Sequence, residues 1–336
     1  MKNIYIILNI LFLLIFFNVS FTTPVVAAEV GNKILFSINP TSPGPQENTS
    51  VSIRSFAADI KKSLVIWYLD GVEYERGYNR SVIDFVTGKL GETTQLTAEI
   101  RKTGQKTLKE TITILPVEIN LLWRSDSYRP AFYRSQPPVS TGSKVEMTVV
   151  VNFKNEDGIT IDPQSLVYNW EQNYQTISSR SGIGKSNFVF TKNQGDDNIK
   201  VIIETKNGKA IGEKSIVISS EKPIVSLYEV KPIMGVNWTH AINNKEVLGG
   251  EKLSIKAEPY GLFSKNYIET GTFNWTINNN KTGGQDGNPA LTTLLSSSLI
   301  GRQDINLSLD VSNKYLPANR AVLKRMFFID NAIIKF

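Results

Sequence analysis

Two pairs of neighbouring acids, Glu156-Asp157 and Asp196-Asp197, are the obvious candidates for acid–base chemistry in this chain. Paired carboxylates cleave glycosides when they stand roughly 5–10 Å apart, one as acid and the other as nucleophile or base. Adjacent strand residues, however, point to opposite faces. Each pair also lies beside a glycine, Gly158 or Gly195, so both read as solvated turns. A carboxylate pair drawn from separate strands would leave no mark in the spacing, and carbohydrate processing stays as the alternative. A Ser-His-Asp triad would have to use His240, the one histidine. It falls in Asn237-Trp238-Thr239-His240, a loop-like stretch without a nucleophile-elbow glycine pattern. The absence of cysteine removes disulfides, thiolate metal sites and cysteine nucleophiles together. The carboxylate spacing of an EF-hand is missing, and Gly283-Gly284-Gln285-Asp286-Gly287-Asn288 reads as a flexible turn. No catalytic residue, cofactor or metal ligand is expected, and the chain reads as a non-enzyme.

Recognition has better candidates. Trp123 to Pro138 brings Trp123, Tyr128, Phe132 and Tyr133 together with Arg124, Arg129 and Arg134. Flat rings and planar cations give contact area at low entropic cost, which suits a partner contact. The same segment also suits a long edge that covers its own sandwich or packs on the first domain. A second cluster, Tyr260, Phe263 and Tyr267, could stack on a glycan, or fold back onto its own sandwich. Three further tryptophans, Trp67, Trp170 and Trp275, lie inside apolar strands and read as core.

These strands organise the chain. They read Leu64 to Gly71, Leu166 to Glu171 and Gly271 to Asn278, with the tryptophans about 100 residues apart, the size of one β-sandwich. An early alternating strand accompanies each: Val51 and Ile53, then Val145 to Val151, then Leu253 to Ala257. A late pair follows each: Leu96, Ala98 and Ile100, then Ile199, Val201 and Ile203, then Ile305 to Val311. Asp70-Gly71 is a favoured hairpin pair, and Asn207-Gly208 marks another turn. Pro116 and Ser219 to Pro223 mark short, proline-bearing linkers, which predict a semi-rigid string. No long helical period follows residue 28.

Met1 to Ala28 has a positive Lys2, an apolar run from Ile4 to Phe17 and small residues at Val26-Ala27-Ala28, as a secretory signal peptide does. Cleavage before Glu29 is expected, with an uncleaved membrane anchor as the rival reading. Removing the segment takes Lys2 and no acid, so the formal charge falls from +6 to +5. That excess is scattered, which argues for solubility rather than nucleic-acid binding.

The repeat resembles bacterial immunoglobulin-like or PKD-like domains: its Trp strands resemble strand C, and Thr94–Ile114 and Ile199–Ile218 resemble strands F and G. It departs from antibody domains in lacking their cysteines, and from PKD domains in lacking the Gly-Asp-Gly turn. At whole-chain level it resembles tandem sandwich proteins secreted by candidate-phylum bacteria. That likeness rests on Ser37-Ile38-Asn39-Pro40 with Pro43-Gly44-Pro45, on Leu121-Leu122-Trp123 with Tyr128, Pro130, Phe132 and Tyr133, and on Lys256-Ala257-Glu258-Pro259-Tyr260. It implies no functional residue. The expected fold is all-β: a signal helix over 1–28, then three tandem immunoglobulin-like antiparallel sandwiches over 29–116, 117–220 and 221–336. The expected role is a structural or adhesive protein outside the cytoplasm, secreted or on the cell surface, with a protein or glycan partner there.

Overall fold

The computed structural model describes residues 34–104, 106–136, 138–245, 247–249, 252–262, 267–286, 288–294 and 302–330. The expected signal segment, 1–28, lies outside the described residues. The chain is all-β and folds into six sheets among those residues.

The first repeat contributes β1 (Ile34–Asn39), β2 (Asn48–Ser55), β3 (Leu64–Leu69), β4 (Val72–Tyr78), β5 (Val82–Val86), β6 (Thr94–Arg101) and β7 (Leu108–Ile114). Their orders are β1-β2-β5 and β4-β3-β6-β7. The second contributes β8 (Glu118–Ser125), β9 (Lys144–Asn152), β10 (Val167–Gln172), β11 (Gln175–Thr176), β12 (Gly182–Ile183), β13 (Asn187–Thr191), β14 (Asp196–Glu204) and β15 (Ala210–Ser219). Here the orders are β13-β9-β8 and β11-β10-β14-β15, with β12 also on β10. The third contributes β16 (Ile224–Lys231), β17 (Gly235–Ala241), β18 (Val247–Gly249), β19 (Lys252–Tyr260), β20 (Gly271–Ile277), β21 (Asn280–Asp286), β22 (Ala290–Leu294), β23 (Arg302–Asn313) and β24 (Arg320–Asp330). Its sheets run β17-β16-β19-β22 and β18-β24-β23-β20-β21.

Chain contacts group the described parts of Met1–Ser37, Ser50–Asp84 and Gln95–Thr113 in one compact unit. Ile38–Thr49, Phe85–Thr94 and Ile114–Phe336 form the other. Within that second unit, Val117 N–H donates to Pro43 C=O at 3.0 Å and Glu213 N–H to Ser42 Oγ at 2.7 Å. The proline-rich loop is thereby tied to the second repeat.

Alternation with period two explains the cores. Val145, Met147, Val149 and Val151 of β9 all face inward, against Trp170, Ile199, Val201 and Ile203 of the opposite sheet. In the third repeat, Leu227, Ile255 and Ala257 meet Phe273, Trp275, Leu307 and Leu309 in the same way. Trp67, Trp170 and Trp275 are 0%, 0% and 2% exposed. Their cross-strand partners are Ala98, Val201 and Leu309. A buried indole needs an acceptor. Trp67 Nε1 donates to Arg80 C=O and Trp170 Nε1 to Lys185 C=O, both at 2.9 Å. Trp275 Nε1 has no hydrogen-bond partner among the described residues.

The turn after each tryptophan strand falls at one fixed offset. Asp70-Gly71, Asn173-Tyr174 and Asn278-Asn279 all have positive φ at both residues, from 46° to 81°. Two such residues make the primed hairpin turns that match strand twist. The first turn residue also grips the start of the late strand. Gln95, Asn198 and Asn306 N–H donate to the side-chain oxygens of Asp70, Asn173 and Asn278 at 2.7–2.9 Å. The backbone N–H groups of Asp70, Asn173 and Asn278 answer by donating to the carbonyls of the same three partners, each at 2.8 Å. An Asp or Asn tolerates left-handed φ and brings its own acceptor, so this one position serves both needs.

Candidate binding site on the aromatic and arginine segment

Trp123 and Arg124 lie in β8, where Trp123 stands opposite Met147 of β9. Ile119, Leu121 and Trp123 turn toward the second core. Exposed Leu122 on the outer face makes Leu121-Leu122-Trp123 look unpatterned in the sequence. Arg124 faces out, and its Nε donates to Glu146 Oε2 at 2.6 Å.

The chain beyond Ser125 leaves its own sheet and docks on the third repeat. Tyr128 N–H donates to Leu262 C=O at 2.7 Å, and Gly261 N–H donates to Tyr128 C=O at 2.9 Å. The Tyr128 ring packs on the third core, and its hydroxyl donates to Glu258 Oε1. Tyr133 meets Tyr260 edge-on at 5.5 Å between ring centres. Phe132 lies 5.2 Å from Trp238 and 6.3 Å from Tyr228. Gly261 has φ +76°, and a Cβ there would sit 3.2 Å from Pro138 Cβ, so the close approach needs glycine twice over. Further along, Asn319 Nδ2 donates to Ser140 Oγ at 2.8 Å. The segment is therefore a strap joining the second and third repeats.

Of the second cluster singled out in the sequence, Tyr260 meets the first. Tyr260 is 8% exposed, its hydroxyl 3.0 Å from that of Tyr228. Burial, then that hydrogen bond, pushes its phenol far above the ordinary tyrosine value. Ring burial leaves it no face for stacking on a sugar. Phe263 lies outside the described residues, and Tyr267 opens a four-residue helical turn, Tyr267–Thr270. Two aromatics that the sequence left unassigned, Tyr228 and Trp238, complete the cluster. Trp238 was hidden because Asn237 to His240 reads as a loop, whereas it is the middle of β17, with His240 exposed. Lys256 Nζ lies 4.6 Å from the centre of the Trp238 ring and 3.2 Å from Glu258 Oε2.

One side of the strap remains open. Arg124, Ser125, Ser127, Tyr128, Arg129, Arg134, Ser135 and Gln136 line a cleft of about 460 Å³. Arg129 Nη1 is fixed by the carbonyls of Tyr133 and Ser135 at 2.8 and 2.9 Å. Arg134 is exposed and makes no hydrogen bond or ion pair among the described residues.

The acid pairs have structural employment. Glu156 accepts from Lys209 Nζ at 2.6 Å on the surface. Asp196-Asp197 are not a solvated turn but the start of β14, and Asp197 is 2% exposed. Lys192, wholly buried, donates to Asp197 Oδ2 at 2.7 Å and to the carbonyls of Asn193 and Gly195. Gln172 and Asn173 donate to Asp197 Oδ1 at 2.9 and 3.0 Å. Burial opposes the charge on Asp197, yet the hydrogen bonds from Lys192, Gln172 and Asn173 outweigh it and hold the carboxyl below its ordinary range. Among the described residues no three His, Asp or Glu side chains gather as a metal site would require.

Replacing Tyr128 by phenylalanine removes a hydrogen bond to a buried, charged acceptor. The expected loss is about 1.5–3 kcal/mol in the unfolding of the third repeat, read by calorimetry on residues 29–336.

This strand order and these strapped sandwiches define an immunoglobulin-like tandem array. No family model and no curated protein matches the chain. Among solved structures it is similar to the fibronectin(III)-like modules of Clostridium thermocellum CbhA, at 11% identity over 56% of this chain and 94% of that one, with a TM-score of 0.26. It is also similar to the three N-terminal domains of the bacteriophage RB49 outer capsid protein Hoc, at 10% identity, 91% and 100% coverage and a TM-score of 0.24. A third is the Bacteroides ovatus glucan-utilisation protein SGBP-B, solved with a mixed-linkage heptasaccharide, at 13% identity, 87% and 66% coverage and a TM-score of 0.22.

Proposed function

We propose that the chain is a non-catalytic, extracytoplasmic structural or adhesive protein that holds a recognition surface at the cell surface or on an appendage. The observation that carries this reading is the strap. Two of its aromatics, Tyr128 and Tyr133, pack against the third repeat and join two sandwiches, while its arginines stay exposed at the rim. An array built this way fixes the geometry between neighbouring modules and leaves the polar edge of the joint for a partner. One carboxylate of each pair that looked like chemistry, Glu156 and Asp197, is paired with a lysine, which supports a binding role over turnover.

The test combines envelope co-sedimentation with turnover assays on the purified mature chain. The expected result is co-sedimentation with the envelope of the cells that make it, and no cleavage of any polysaccharide offered. Cleavage abolished by one carboxylate substitution would overturn the reading in favour of the carbohydrate-processing alternative. Sequencing the native N-terminus adds the compartment: a start near Glu29 is expected.

A further inference from the structure

We propose that the cleft beside the strap binds a carboxylate-bearing sugar residue, a uronic acid, within an acidic glycan. The inference rests on the binding role just proposed and names its ligand class.

Three arginines line one concavity, and their roles differ. Arg124 is oriented by Glu146, and Arg129 is locked by two backbone carbonyls. Those partners fix the two side chains. Arg134, at the same cleft, has no protein acceptor among the described residues. A guanidinium offers donors in a planar fork, which matches the two oxygens of a carboxylate. With Glu146 subtracting one charge from the three arginines, the cleft keeps a positive balance that favours an anion.

The rest of the lining speaks for a sugar rather than a bare ion. Ser135 and Gln136, both exposed, bring a hydroxyl and an amide that can donate and accept, as ring hydroxyls require, while the Ser125 and Ser127 hydroxyls bond each other and form the polar floor. Tyr128 borders the cleft and is held in place by its bonds to Glu258 and Leu262, which fixes the backbone there. A volume of about 460 Å³ lies in the range of small-ligand sites and admits one or two sugar rings. All the lining residues belong to one stretch of chain that is anchored at both ends, so the cleft is held open before any ligand arrives. Preorganisation of this kind lowers the entropic cost of binding.

The experiment is calorimetric titration of the full mature chain with a uronic-acid disaccharide and with the neutral disaccharide of the same linkage. Acetate, sulfate and an acidic peptide are run as controls. The uronate is expected to bind at least tenfold tighter than the neutral sugar and every control, and more weakly as salt rises. Arg134→Gln is expected to weaken uronate binding at least tenfold without moving thermal unfolding, because the side chain is exposed and unpaired. Arg134→Lys is expected to fall between, keeping the charge and losing the fork. Equal binding of neutral and acidic sugars would overturn the proposal, as would an Arg134→Gln variant that binds like the parent. Acetate or sulfate as tight as the disaccharide would show an oxyanion site without sugar recognition, and a preferred acidic peptide would show a protein site. Each of these also overturns it. If envelope co-sedimentation persists while the uronate does not bind, this inference alone fails. If both fail, the binding role fails with it.

Discussion

Replacing Lys192 by methionine is expected to destabilise the second repeat by about 3–5 kcal/mol, the usual cost of leaving a buried charge without its partner. Methionine keeps much of the length and fills the space, so the loss reports charge rather than volume. Asp197 would then face burial with only Gln172 and Asn173 to hold its charge. The pH dependence follows in sign. In the parent, the folded carboxyl lies below its ordinary range, so the pair contributes stability above that range and loses it as acid protonates Asp197. In the variant the carboxylate keeps its desolvation and loses its cation, so protonation relieves it. The gap between parent and variant is therefore expected to narrow as pH falls through the carboxylate range. A gap that stays constant down to low pH would mean that Lys192 acts through packing. Calorimetry on residues 29–336, following the transition of the second repeat, reads both.

The second large effect belongs to Trp170. Its ring stacks on Phe188 at 5.2 Å, and Phe188 in turn stacks on Phe190 at 5.4 Å. Trp170→Ala is expected to cost about 3–5 kcal/mol, through lost transfer energy and the cavity left behind. The Lys185 carbonyl would lose its indole donor as well. A single small domain holds about 5–15 kcal/mol in all, so this change alone can unfold the second repeat at body temperature. Trp170→Phe should recover part of the packing but not the donor, and so fall between. A loss below about 1 kcal/mol for the alanine variant would show that the ring is not the centre of that core.

Much of this architecture was legible because burial on one face writes a period of two into the sequence. Val145 to Val151 and Ile199 to Ile203 carried that pattern openly, and the tryptophan strands framed the repeats. β8 escaped because Leu122 puts an apolar residue on the solvent side, blurring the alternation. Asn173-Tyr174 and Asn278-Asn279 escaped as turns because neither contains glycine, yet their offset of three residues from each tryptophan was a usable signal. The Lys192–Asp197 pair also left a trace. Phe188, Phe190 and Lys192 share one inward face, and a lysine in that register demands a buried acid nearby.

The candidate site was half legible. Residue type pointed to Trp123 through Arg134 and to Tyr260, but only the folded chain shows Tyr128 and Tyr133 placed against the third repeat. Contacts separated by some 130 residues have no periodicity to betray them. The consequence for function is a division of labour within one segment. Tyr128 and Tyr133, which suited a partner contact, are spent against the third repeat, while Phe132 and the arginines between them keep much of their exposure.

Hydrogen exchange at the amides of Tyr128 and Gly261 tests this division most directly. Both donate across the joint, to Leu262 C=O and to Tyr128 C=O. If the strap is built into the joint, both exchange slowly in the folded chain, and Tyr133→Ser accelerates both together. Exchange at both positions as fast as in an unstructured peptide would contradict the account, returning the aromatic segment to solvent and to whatever partner it then awaits.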